Sequence, residues 1–184
     1  MNVEKINAAS STTSDVSWSV ASSEVANASG IYTATCYDAD GNLKWTDTYT
    51  NLVTTAGKND LLDKYIAGSG YTAAWYLGLV DGGSSPTYAV ADTMSSHAGW
   101  TENTGYTEAN RVTPSWNAAA AGSKASNATS FSINATSTIS GTFLVSDNTK
   151  SGTAGILYSA GNFTGGDKSV ASGDTLNVTY TASV

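Results

Sequence analysis

From Ile31 onward the chain is written in short runs whose apolar residues fall at every second position, each run closed by a cluster of Gly, Asn, Asp or Ser. Period-two alternation puts every other side chain on one face of an extended strand, so each run selects a strand with one face buried. Runs recurring about every ten residues with turn punctuation select a sandwich or barrel. The expected fold is mainly β: an antiparallel β-sandwich or jelly-roll-like body over residues 31–184, with one short helix and a long aromatic loop.

Ile31–Tyr37 and Leu43–Thr50 predict a hairpin, with Asp40-Gly41 as its turn signal. Lys58–Ala67 predicts the one helix: Leu61, Leu62, Tyr65 and Ile66 recur at helical spacing, and Gly57 and Gly68 flank it. Ala73–Val80 reads as a fully buried strand. Arg111–Trp116 reads as a strand that Pro114 places at an edge. Four further strands are expected near Ala128–Ala135, Thr138–Val145, Gly155–Phe163 and Asp174–Ala182, with turns at Asp147–Ser151 and Gly165–Lys168.

Composition narrows the function classes. A chain of 184 residues is long enough for one domain with a real core. Charged residues make up 12% against a usual ~25%, and the net charge is −7. With no Lys/Arg cluster, a nucleic-acid partner is not expected, because binding it requires neutralising phosphates. The single Cys36 excludes an internal disulfide and any multi-cysteine metal site; its place in an alternating run predicts a buried small hydrophobe. No apolar run approaches the ~18 residues of a membrane helix, and no signal-type stretch opens the sequence. These features predict a soluble chain made in a cytosol, with no membrane partner.

Residues 1–30 carry few apolar anchors and on composition alone read as a disordered arm. Such an arm orders only when its own body, a symmetry mate or another protein holds it. Trp18 and Val20 are its candidate partner-binding residues.

The chemically distinctive side chains lie in Ala91–Trp116, which holds the only histidine and the only arginine. His97 and Glu102 are the one candidate base and acid. No serine stands in a G-x-S-x-G elbow and no second histidine completes a zinc set, so a hydrogen-bonded structural His97 is expected and catalysis is not. Arg111 lies near Glu102 and Glu108, and a guanidinium fork suits a carboxylate. Two readings stay open: an intrachain pair that pins the long loop Asp81–Asn110 to the sheet, or an intersubunit contact in which Trp100, Tyr106 and Trp116 take part. Thr93–His97 predicts a helical turn capped by Asp92 or Thr93.

Two other patterns resolve to simpler readings. Asp38, Asp40 and Asn42 around Gly41 look like the start of a calcium loop, but Tyr49 stands where the bidentate Glu must be, which leaves a hairpin turn. Asn-x-Ser/Thr triplets at Asn27, Asn127, Asn134, Asn162 and Asn177 follow from the frequency of Ser and Thr. No cofactor is expected.

Three motifs carry a family resemblance: N-L-V-x-x-x-G-K-N at Asn51–Asn59, Tyr76-Leu77-Gly78-Leu79, and ADTM-x-x-HAGW-x-E at Ala91–Glu102. Together with GDTLNVTY at Gly173–Tyr180, they resemble small structural proteins encoded among the head genes of tailed bacteriophages, over roughly residues 40–184. The likeness implies a virion protein without a catalytic site. By analogy with capsid decoration (cement) proteins, it implies attachment to the capsid exterior and contact with the major capsid protein. It also implies a homo-oligomer or lattice neighbours, and synthesis in the host cytoplasm. The alternative is a tail, neck or fibre protein that recognises a host surface glycan.

Overall fold

In the computed structural model, residues 27–66, 70, 74–83 and 85–184 are described. The arm residues Trp18 and Val20, and the segment boundaries Ala67, Gly68 and Ala73, lie outside them.

The hairpin forms as expected from β1 (Ser29–Tyr37) and β2 (Leu43–Thr50). Gly41 takes the left-handed φ of 84° that the turn requires. Asp38 Oδ1 accepts from the backbone N–H of Asp40 at 3.0 Å and of Asn42 at 2.8 Å. The Asn42 contacts hold the Asp38 carboxyl below its ordinary range. The aspartate cluster is thus a self-bonded turn. On the outward face of the hairpin Thr33 meets Thr48 at 3.0 Å and Thr35 meets Thr46 at 2.9 Å, a hydroxyl ladder that covers the sheet without charge.

All ladders of the two sheets are antiparallel. Short β3 (Leu52–Val53) follows the hairpin, then α1 (Thr55–Tyr65), β4 (Tyr76–Asp81), β5 (Glu102–Asn103) and β6 (Ser123–Ala125). The C-terminal third supplies β7 (Thr129–Ser132), β8 (Ser137–Val145), β9 (Leu157–Asn162), β10 (Lys168–Val170) and β11 (Thr175–Ser183). One sheet runs β2-β1-β11-β6, with β7 beside β6 on the same edge of β11. The other runs β3-β9-β8-β4-β5, with β10 continuing the β9 edge of β8.

The sheets close on one aromatic-rich core. Tyr32, Phe131, Leu176, Val178 and Tyr180 from the first sheet meet Leu77, Leu79, Ile139 and Leu144 from the second. Burial of each such side chain contributes about 1.5–3 kcal/mol. Three tyrosine hydroxyls inside this core are satisfied by polar side chains. Tyr32 Oη pairs with Ser159 Oγ at 2.7 Å and Tyr49 Oη with Thr142 Oγ1 at 2.7 Å. Asn51 Nδ2 donates to Tyr180 Oη at 2.9 Å. This is why Ser159 and Thr142 are fully buried.

The second sheet is covered on its other face as well. Met94 and Trp100, from the segment between β4 and β5, pack on Val80, Phe143, Val145, Leu157 and Ala160. β4 and β8 therefore read as nearly continuous buried runs. β8 switches parity midway: Ile139 and Leu144 both join the intersheet core because Ser140 is an extra residue in the ladder, where Asp81 pairs Ile139 and Val80 pairs Gly141. Ser140 Oγ donates to Asp81 O at 3.0 Å across the irregularity.

Three expectations are corrected. The helix begins at Thr55, not Lys58, because Thr54 caps it: Thr54 Oγ1 accepts from Gly57 N at 3.0 Å. Gly57 is inside the helix, not beside it. A Cβ there would lie 2.6 Å from Tyr158 O, so the glycine lets the helix sit directly on β9. The periodic residues also face out: Leu62 is 53% exposed, Tyr65 88% and Ile66 75%, while Gly57 and Asp60 are the buried ones. Second, Arg111–Trp116 is not a strand. It touches the sheets only through isolated bridges, Val112 with Leu77 and Trp116 with Ser126. Pro114 between them has no N–H to offer a ladder. Third, Thr93–His97 is not a helical turn. Thr93 and Ser96 exchange backbone hydrogen bonds in a tight turn, and Asp92 caps the Ala89 N–H instead.

Candidate functional site

Arg111 is the most completely enclosed charged side chain of the segment 91–116. Its guanidinium forms a fork with Glu102, Nε to Oε1 at 3.0 Å and Nη2 to Oε2 at 2.8 Å. Nη1 donates to Asp147 O at 3.0 Å and Nη2 to Gly152 O at 2.8 Å. Glu102 Oε2 also accepts from Ser151 N at 2.8 Å. The guanidinium carbon lies 5.2 Å from the Phe143 ring centroid. One buried arginine thus ties β5 to the turn after β8, the Asp147–Ser151 turn expected from the sequence. The Arg111 side chain is 0% exposed and that of Glu102 5%, so neither offers a group to another molecule. Of the two readings of Arg111, the geometry is that of the intrachain pin.

Glu108 does not share this pair. Its carboxylate accepts from the Ser132 N–H at 3.1 and 3.2 Å, which ties the loop to β7. Tyr106 pairs as an isolated bridge with Ile133 and packs edge-on to Phe131 at 5.0 Å. Its buried hydroxyl has no hydrogen-bond partner among the described residues. Burial, then the Glu102 charge, push its pKa well up. Lys150 closes over the ring, Nζ 3.7 Å from its centroid, and donates to Tyr106 O at 2.7 Å.

His97 stacks on Trp100 with ring centroids 4.0 Å apart, and its Nδ1 lies 3.0 Å from Trp100 O. The Trp100 indole N–H donates to Asp92 Oδ2 at 3.3 Å. Asp92, His97 and Trp100 thus make a small self-contained clasp over β8. A hollow of about 250 Å³ lies beside it, lined by His97, Glu102, Met94 and Thr153. The Glu102 oxygens there already hold three donors, so the pair His97 and Glu102 does not present a free base and a free acid. Among the described residues, no group of three His, Cys, Asp or Glu side chains is placed to hold a metal.

Trp116 stands apart from these residues. It packs edge-on to Tyr180 at 6.3 Å and helps line a second hollow of about 250 Å³. Sequence reasoning missed this groove. Trp75 and Tyr158, edge-on at 5.4 Å, form its other aromatic wall, and Leu61, Lys64 and Lys124 edge it. Residues from α1, β6, β9 and β11 meet there, so no local run announces it. The signal present in the sequence was the helix, whose apolar residues lie at and beyond the groove's edge. Leu62, Tyr65 and Ile66 continue from Leu61 as an exposed apolar face.

No protein-family model matches the chain, and no curated protein matches it.

Proposed function

We propose that this is a structural virion protein that binds the outer surface of a phage capsid and stabilises its lattice, with the major capsid protein as its partner. The observation that carries the reading is the outward apolar face of α1. Leu61, Leu62 and Tyr65 of one short helix and Ile66 at its C-cap are all exposed and adjacent, whereas the other exposed large apolar residues, Ile31, Leu43, Val90 and Val184, lie apart in sequence. An apolar surface of this kind marks a docking face. The helix is seated on β9 through Gly57, so it offers that face without needing to rearrange. The buried Arg111–Glu102 pair, and His97 held against Trp100, favour adhesion over catalysis. The net charge of −7 suits an outward position better than one against packaged DNA. Mass action does the rest: a ligand of the assembled lattice alone stabilises that state over its competitors.

The test is occupancy. The purified protein is mixed with purified capsids and with purified tails, and the bound fraction is measured after sedimentation. Binding to capsids that Tyr65→Glu and Leu62→Glu abolish, with melting temperatures unchanged, supports the reading. Binding to tails alone, or equal binding by the variants, overturns it. The groove of Trp75, Trp116 and Tyr158 favours a second reading, a tail, neck or fibre protein that recognises a host surface glycan on an aromatic platform. Saccharide titration against the tail-bound protein tests it.

A further inference from the structure

We infer that the groove between α1 and the end of the sandwich receives Trp18 from the chain's own N-terminal arm. The inference is independent of the capsid reading. It begins with strand register. The groove floor includes Tyr180 and Ala182 of β11, and Ala182 pairs directly with Gly30 of β1. A Cβ at Gly30 would lie 2.2 Å from Tyr180 Oη, so the chain enters the body hard against that ring. Neighbouring strands lie about 4.8 Å apart. The arm therefore leaves the body one strand's width from the groove.

Reach and chemistry agree with that position. Trp18 precedes Gly30 by twelve residues, which span at most about 40 Å when extended. Trp18 is the one aromatic residue among residues 1–26, and Val16, Trp18 and Val20 recur at every second position, the spacing that puts three apolar side chains on one face. The groove is walled by Trp75, Trp116 and Tyr158, surfaces on which an indole packs edge-on or offset. Lys64 and Lys124 edge the groove beside Asp60, which pairs Lys64 at 3.5 Å and leaves the rim with one net positive charge towards Asp15 and Glu24 flanking Trp18. A tether this short gives an effective concentration of about millimolar, so modest contacts hold the arm in place.

The test labels all five tryptophans of the full chain with 5-fluorotryptophan and compares its fluorine spectrum with that of Trp18→Ala. The substitution is expected to remove one resonance and to shift those of Trp75 and Trp116. Trp45, which packs on Phe163, and Trp100, which packs on Phe143, should not move. The same shifts are expected at every protein concentration. Four unchanged resonances overturn the proposal, and so do shifts that grow with concentration, since those place the arm of a second copy in the groove. A second measurement pairs Val20→Cys with Leu61→Cys under mild oxidation. A disulfide within the monomer is expected; one that forms only between copies overturns the assignment.

Discussion

Arg111 and Glu102, nine residues apart in sequence, meet in a two-point ion pair from which solvent is excluded on both sides. Glu102 brings β5 to it, while the carbonyls of Asp147 and Gly152 bring the turn beyond β8. Removing one partner of a buried pair leaves the other charged and unmatched, which costs about 3–5 kcal/mol. Arg111→Ala is therefore expected to lower the melting temperature by roughly 10 °C in calorimetry. Arg111→Lys should recover only part of it, because an ammonium does not reproduce the fork. A melting temperature unchanged by Arg111→Ala would sink the pin.

Asp174 contributes to the acid sensitivity of the fold. Burial raises its carboxyl, but the Lys44 ammonium at 2.5 Å and the Ala171 N–H at 2.8 Å outweigh that and hold it below its ordinary value. A depressed carboxyl contributes stability that is present above the unfolded value of about 3.9 and is lost as pH falls through the folded one. The wild-type melting temperature should thus drop as pH falls below about 4, and Asp174→Asn should flatten that limb. An identical acid limb in the variant counts against the assignment.

Cys36 should behave as a core residue. It is fully buried, and burial together with the Asp174 charge raises its thiol to about 11. Its contribution is complete below the ordinary thiol value and is lost as pH rises through about 11. Iodoacetamide at pH 8 should leave the native protein unmodified and label it fully in denaturant. Rapid native labelling would mean that the β1–β11 seam opens.

Gly141 of β8 pairs Asn162 of β9 and lies against the carbonyl of the preceding Gly161. A Cβ at Gly141 would lie 1.9 Å from Gly161 O, a backbone atom that cannot swing away. Gly141→Ala should cost at least the upper end of the ~1–3 kcal/mol typical of overpacking. Tyr49→Phe, which only strands the Thr142 hydroxyl, should cost about 1–2 kcal/mol. Denaturant midpoints that rank the two in the reverse order would contradict this packing.

Sheet content was legible because a period of two is a local signal: the β1–β2 hairpin, β8, β9 and β11 all lie where alternation and turn residues put them. Short β3, β5, β6 and β10, of two or three residues each, were not legible, because their identity comes from the strand they join. The face of α1 was misread for a related reason. Spacing reveals that Leu61, Leu62, Tyr65 and Ile66 share a side, but Gly57 decides which side meets β9. At the candidate site, Arg111 and Glu102 were legible because both are rare and close in sequence. Glu108 was assigned to the wrong partner, since its proximity to Arg111 says nothing of the Ser132 N–H across the sheet. The aromatic groove required Trp75, Trp116, Tyr158 and Tyr180 to converge from distant positions, which no run of sequence encodes.

Ser29 and Ser183 are partners in one ladder. The body can therefore be rewired without disturbing either sheet. A short linker from Ser183 to Ser29, with new termini opened at the exposed Asp40-Gly41 turn, turns the β1–β11 pairing into a hairpin. Such a permutant would present residues 1–26 as a separable peptide, to be added back in trans at a chosen concentration.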